Sequence, residues 1–168
     1  GSITGPPSLS AAIPDYQLQV VGENQLHLVR TTSSSYATWS GGAAFDADAN
    51  GDGVPNGLAF LLGAPDKDAD ALSLLPIPSH SGGNLVLTFG MRNATNRGSA
   101  TLSIQHSVDV GMADPWTTVQ VPDSTGGPTG GVTFIVIAGN PLNRVTATIS
   151  SGESGGEGRL FGRVIANE

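Results

Sequence analysis

The chain has 168 residues, long enough for one domain with a sizeable core. Its 24 Gly and 11 Pro argue against long helices, and its lack of Cys excludes disulfides and thiolate metal sites. The net charge is −7, and the seven basic residues are scattered, so no positive stripe exists to neutralise phosphates and nucleic acid is excluded as a partner. No apolar run approaches the ~18 residues of a membrane span. The chain opens without Met or a signal-peptide pattern, as expected of a processed or excised piece of something longer.

Residues 1–14 read as an extended arm, because Pro6, Pro7 and Pro14 forbid helix. From Tyr16 the pattern alternates. Tyr16, Leu18 and Val20 are followed by a Gly-Glu-Asn turn and then by Leu26 and Leu28, which predicts a hairpin. With the polar hinge after it, this segment spans 15–35. Tyr36 and Trp39 sit three apart behind serines, consistent with one Ser-capped helical turn.

The segment Asp46 to Gly57, D-A-D-A-N-G-D-G-V-P-N-G, carries the chemistry that spacing can reveal. Hard oxygen ligands at positions 1, 3, 5 and 9 of a tight loop, with Gly at 6, are the Ca²⁺-loop pattern. Counted from Asp48, Asn50 falls at 3, Asp52 at 5, Gly53 at 6 and Asn56 at 9, while Val54 offers its carbonyl at 7. Asp46 extends the alternation upstream. The expected metal ligands are therefore Asp46, Asp48, Asn50, Asp52, Val54 and Asn56, and the expected ion is Ca²⁺. Position 12 should be a bidentate Glu but is Ala59, so help is expected from Asp46 or from Asp66, Asp68 or Asp70. Six of the 14 acids fall between Asp46 and Asp70, focusing negative charge where a cation would sit. The bland alternative is a solvated Asp/Asn/Gly turn. Against it, side-chain oxygens in strict alternation raise like-charge repulsion unless a cation offsets it.

After the loop, Leu58 to Leu62 predicts a short helix closed by Gly63. The loop and its short helices occupy 36–66, and residues 64–81 read as connection. From 84 to 168 six strands are expected, over 84–89, 101–108, 116–121, 132–137, 144–150 and 159–165. The run Phe134 to Ile137 is continuous, as in a strand buried on both faces. With the hairpin this makes an all-β sandwich of about eight short strands and one short helix after the acidic loop, all forming one compact domain.

The order Y-A-T-W-S, F-D-A-D-A-N-G-D-G-V-P-N-G-L-A-F-L-L-G, H-S-V-D before Trp116, and R-L-F-G-R-V resembles a C-terminal module of large exported proteins of Verrucomicrobia and Planctomycetes. That module often stands beside autotransporter-associated β-strand repeats. Its usual form is D-x-D-G-D-G-x-x-N-x-x-E-Y-x-x-G; here its Glu is Ala59 and its Tyr is Phe60. The hairpin is similar to the last strands of the β-region that precedes such modules. The acidic loop is also similar to dockerin and thrombospondin type 3 calcium loops. The resemblance implies a secreted or cell-surface location and no activity.

Three classes of function compete. The first is a non-enzymatic, calcium-stabilised extracellular β-module with a structural or assembly role, such as a filament or surface-layer subunit. It would self-associate or join neighbouring domains of the same exported protein. Residues 3–13 are then expected to contact another chain or an open sheet edge. The second is a carbohydrate-binding module using Trp39, Trp116, Tyr16 and Tyr36 as a glycan platform; core packing is the expected use of these rings. The third is a hydrolase. Gly152 to Gly156 matches G-x-S-x-G, but a β-pattern follows where a nucleophile elbow needs a helix. His27, His80 and His106 show no paired spacing, so neither a zinc site nor a triad is expected. Asn93-Ala94-Thr95 is a sequon, meaningful only in a glycosylating host.

Overall fold

The structure, a computed structural model, describes residues 16–21, 25–30 and 35–168. The chain divides into two compact units, Gly1–Ser34 and Ser35–Glu168. The first holds the expected hairpin, strand β1 (Tyr16–Val21) pairing antiparallel with β2 (Gln25–Arg30) from Tyr16↔Arg30 to Val21↔Gln25. The arm, with the contact expected over residues 3–13, lies outside the described residues.

The second unit is an all-β sandwich of eight strands in two antiparallel sheets. The strands are β3 (Ile77–Ser81), β4 (Asn84–Arg92), β5 (Thr101–Ser107), β6 (Thr117–Gln120), β7 (Gly126–Thr129), β8 (Val132–Ile137), β9 (Leu142–Ile149) and β10 (Phe161–Asn167). One sheet has the order β10-β5-β6, the other β3-β4-β9-β8-β7. Between them lies a core built by alternation. Leu85, Leu87, Phe89 and Met91 of β4, Val145, Ala147 and Ile149 of β9, and Val132 and Phe134 of β8 are buried, as are Leu102 and Ile104 of β5 and Val119 of β6. Because side chains alternate across a strand, one face of each sheet is apolar and the other meets water.

All six strands expected after residue 84 form, as β4, β5, β6, β8, β9 and β10. The sequence pattern does not reveal β3 and β7. Both are edges of the five-stranded sheet, every residue of both is exposed, and each contains a proline. A strand that buries nothing has no apolar period to read. The continuous run in β8 is corrected: Val132 and Phe134 face the core, but Ile135 and Ile137 are 52% and 59% exposed. No helix covers that face among the described residues.

Among the described residues, three short helices stand outside the sheets. Helix α1 (Ser35–Ser40) forms at the expected Tyr36–Trp39 turn, and α2 (Asn56–Leu62) directly after the acidic loop. Helix α3 (Ala94–Arg97) is one unexpected turn, capped by Asn93, whose side-chain oxygen accepts from the N–H of Asn96 at 3.1 Å. Further 3-10 turns cover Leu72–Leu74 and Ser151–Glu157. No helix among the described residues is long and apolar enough to cross a membrane.

Helix α2 fixes the site, so its placement matters. Phe60, Leu61 and Leu62 are buried in the core, and the helix contacts β4, β5 and β10. Gly63 ends it at φ 104°, and its N–H reaches the carbonyls of Ala59 and Phe60. Arg92 of β4 completes the cap, donating Nε to the Phe60 carbonyl at 2.7 Å and Nη2 to that of Ala64 at 2.8 Å. Its guanidinium also lies 4.7 Å from the centre of the Phe60 ring.

Candidate metal centre

The acidic loop leaves a buried aromatic nest and returns to it. Tyr36 touches Phe45 edge-on at 4.8 Å and Phe60 at 5.5 Å, and Trp39 lies 5.5 Å from Phe60. The Tyr36 hydroxyl donates to the carbonyls of Ala43 and Ala44. Its pKa is raised, first by burial and then by the nearby carboxylates of Glu168 and Asp46. At the far end of the loop, the N–H groups of Asn56 and Gly57 bond to the carbonyls of Ala47 and Phe45 at 2.7 and 2.8 Å. Gly57 permits this approach, because a Cβ there would enter the Phe45 ring.

Inside these ends the backbone folds around the acidic side chains. Asp48 accepts the N–H of Gly51 through Oδ1 and that of Gly53 through Oδ2, both at 2.8 Å. Gly51 and Gly53 take φ of 73° and 86°, which suits residues without a Cβ. Asn50 Oδ1 accepts the N–H of Asp52, and Asp52 Oδ1 accepts that of Val54. Each oxygen-bearing side chain thus holds the amide two to five residues on, which explains why Asp, Asn and Gly are needed here.

A second segment docks on the loop. Asp52 Oδ2 accepts the N–H of Ala71 at 2.7 Å, and Asn50 Nδ2 donates to the carbonyl of Ala69 at 2.8 Å. These bonds hold the carboxyl of Asp52 below its ordinary range, with the Ala71 N–H the largest cause, then that of Val54 and the Asn50 amide. Ala71 is fully buried beside Val54, Ala59 and Ala64 in a small core of its own.

The expected ligands divide into two groups. Asp48, Asn50 and Asp52 lie together on the turn, and Asn50 Nδ2 also reaches Asp52 Oδ2 at 3.1 Å. Asn56 does not present its side chain in the same way. It is 2% exposed, its Oδ1 accepts from Ala49 N–H, and its Nδ2 donates to the Ala44 carbonyl, so it clamps the loop from within. Val54 has a buried side chain and an N–H held by Asp52. Asp46 is exposed and makes no hydrogen bond among the described residues. Of the residues expected to help, Asp66 and Asp70 accept the N–H groups of Asp68 and Leu72, two residues on, and Asp68 pairs with Lys67 at 2.6 Å, while the docking is made by the backbone of Ala69 and Ala71. Ala59 is buried in α2 and brings no ligand atom in its side chain. No cluster of three His, Cys, Asp or Glu side chains occurs among the described residues.

The donor set is hard oxygen throughout, which suits Ca²⁺ and not a thiolate or imidazole metal. Asp48, Asn50 and Asp52 keep unshared oxygen lone pairs beyond those given to backbone amides. Three side chains fall short of the six to eight oxygens that Ca²⁺ takes. A weak, partly hydrated site fits this set; a tight one does not.

A second Asp-organised loop escaped the sequence reading. Asp109 accepts the N–H groups of Gly111, Met112, Ala113 and Asp114, and its pKa is lowered, first by the Ala113 bond. Ser107 Oγ donates to Asp109 and to the Asp114 carbonyl, and Asp114 Oδ2 accepts the Val108 N–H. The spacing Ser107-Asp109-Gly111-Asp114 is the signal that could have found it.

Of the rings weighed as a glycan platform, Tyr36 and Trp39 pack with the core, as expected. Tyr36 is buried, and Trp39 donates its indole N–H to the Ala64 carbonyl at 2.8 Å. Trp116 corrects the core-packing expectation: it is half-buried outside the core, with the Arg163 guanidinium 4.2 Å from its ring centre. Tyr16 lies in the other unit. Ser154 donates its hydroxyl to the Ser151 carbonyl, and the buried His106 binds the Gly130 carbonyl through Nε2. No protein-family model matches this chain, and neither a curated protein nor a solved structure is significantly similar to it.

Proposed function

We propose that the protein is a non-enzymatic, secreted or cell-surface β-module, stabilised by Ca²⁺ at Asp48, Asn50 and Asp52, with a structural or assembly role. The observation that carries this reading is the double tether of the acidic loop to Ala69 and Ala71. A cation on this turn would neutralise carboxylates that also hold the connection leading from α2 to the first strand of the sandwich. Its effect would therefore be on the order of that connection. The likeness to calcium loops of exported modules points the same way, and a weak site suits the outside of a cell, where Ca²⁺ is millimolar.

Tyr36 and Trp39 pack with the core, which counts against the glycan-binding alternative.

The test is thermal. An ion that binds only the folded state stabilises it by mass action. At tenfold excess over Kd this is about 1.4 kcal/mol, or roughly 3–6 °C in Tm for a chain of this size. Chelator should lower Tm by that amount, and Asp48→Ala should abolish the response. An unchanged Tm across the calcium range would leave only a hydrogen-bonded turn.

A further inference from the structure

We propose that the outer edge of β10 accepts an added strand, the segment Ser8–Ile13 of a second copy of this chain. This rests on the assembly reading above and names the surfaces that carry it. The Ser35–Glu168 unit has four sheet edges, β3, β7, β6 and β10. An open edge offers unpaired N–H and C=O groups, and proteins guard it with proline, bulges, charge or brevity. Edge β3 has five residues and contains Pro78. Edge β7 has four residues, Gly-Gly-Pro-Thr, and its register with β8 shifts. Edge β6 has four residues and lies between Pro115 and Pro122.

Edge β10 has neither proline, bulge nor brevity, and its one charged side chain, Arg163, is engaged elsewhere. It has seven residues, F-G-R-V-I-A-N, paired with β5 without interruption from Phe161↔Ser107 to Asn167↔Thr101. The polar side chains that could block its free side are drawn back across the sheet. Arg163 donates Nε to Gln105 of β5 at 2.8 Å and lays its guanidinium over Trp116, beyond β5. Asn167 donates to Ser103 Oγ of β5 at 3.2 Å. Phe161, 41% exposed, and the half-buried Ile165 remain on that flank.

The N-terminal segment matches this edge in length and pattern. Ser8–Ile13 reads S-L-S-A-A-I and lies between Pro7 and Pro14, which bound a strand of six residues against an edge of seven. It carries no charge, and Leu9, Ala11 and Ile13 recur at every second position. Paired to β10, one face of such a strand meets Phe161 and Ile165 while its backbone satisfies the edge. An arm-to-edge contact is heterologous, so two joined copies still present one free arm and one free edge, and the array grows.

The absence of Cys makes the test clean, since introduced thiols are the only ones. Full-length Ala11→Cys and Phe161→Cys chains are mixed under mild oxidation. Disulfide dimers containing one of each are expected, and a ladder from the double variant. Ser79→Cys on β3, mixed with Ala11→Cys, should give none. Sedimentation of the unaltered chain reads self-association separately. Multimers that link through Ser79→Cys, or do not link through Phe161→Cys, overturn the β10 edge and leave the assembly reading intact. A double variant that closes within one chain overturns the second copy as occupant. A chain that stays monomeric at every concentration removes both. Ala11→Pro, placed outside the sandwich, should weaken association about tenfold by removing one strand hydrogen bond, and unchanged association would contradict the proposal.

Discussion

Asp52 reaches across 19 residues of chain to accept the backbone N–H of Ala71 at 2.7 Å. One carboxylate therefore orders both the turn that contains it and the segment that leads into β3. Replacing it by Ala should expose the Ala71 amide, raising its hydrogen-exchange rate about tenfold. Asp66→Ala, which touches only the N–H of Asp68, should leave that rate alone. Equal protection in both variants would show that the burial of Ala71 suffices without Asp52.

Gly57 should resist even the smallest side chain. A methyl there enters the Phe45 ring, which cannot retreat because Tyr36 packs against it at 4.8 Å. Overpacking costs about 1–3 kcal/mol, against a gain near 1 kcal/mol from the helix propensity of Ala. Gly57→Ala should therefore lower the urea midpoint, and an unchanged or higher midpoint would contradict the packing.

Val110 presents the opposite case. It takes φ 59°, a left-handed conformation costly for a β-branched residue, and half of its surface is exposed. Such strain costs roughly 1–3 kcal/mol, while Gly loses about 0.5–1 kcal/mol in chain entropy. Val110→Gly should stabilise the protein by about 1 kcal/mol, seen as a Tm rise of roughly 2–4 °C.

The acid limb of stability should depend on Asp109. Its carboxyl is held below the ordinary range by the Ala113 N–H and, more weakly, by those of Asp114 and Met112 and the Ser107 hydroxyl. A depressed carboxylate contributes fully above its unfolded pKa of about 3.9 and loses that contribution as pH falls through the folded value. Asp52 acts in the same direction. Asp109→Asn should be less stable than the parent at neutral pH and lose less between about pH 5 and pH 2. Urea midpoints across that range would show the two curves converging, and parallel curves would exclude the linkage.

Arg92 should not tolerate Lys. Its fork serves two carbonyls, Phe60 and Ala64, at the end of α2. An ammonium lacks that planar fork, and each lost charged hydrogen bond costs about 1.5–3 kcal/mol. Denaturation of Arg92→Lys should show a loss in that range.

The sandwich was legible because its central strands each bury one face. Leu102 and Ile104, or Val145, Ala147 and Ile149, write their period directly into the chain. Edges β3 and β7 stayed hidden because nothing on them is buried. The acidic turn was legible at Asp48, Asn50 and Asp52, whose local bonds follow from spacing alone. The role of Asn56 was not, since the choice between facing the turn and clamping Ala44 and Ala49 is made by the packing of α2. Nor could spacing reveal Ala69 and Ala71, which act through backbone groups that every residue has.

The cap of α3 bears on how the chain behaves in a foreign host. The side chain of Asn93 accepts from Asn96 through Oδ1 and donates Nδ2 to the Gly139 carbonyl at 2.9 Å. That same nitrogen is the one an oligosaccharyltransferase would have to modify in the sequon Asn93-Ala94-Thr95. Once folded, the protein withholds it. A sugar attached there during secretion from eukaryotic cells would thus record that the enzyme arrived before α3 closed, making glycan occupancy a clock for the folding of this corner.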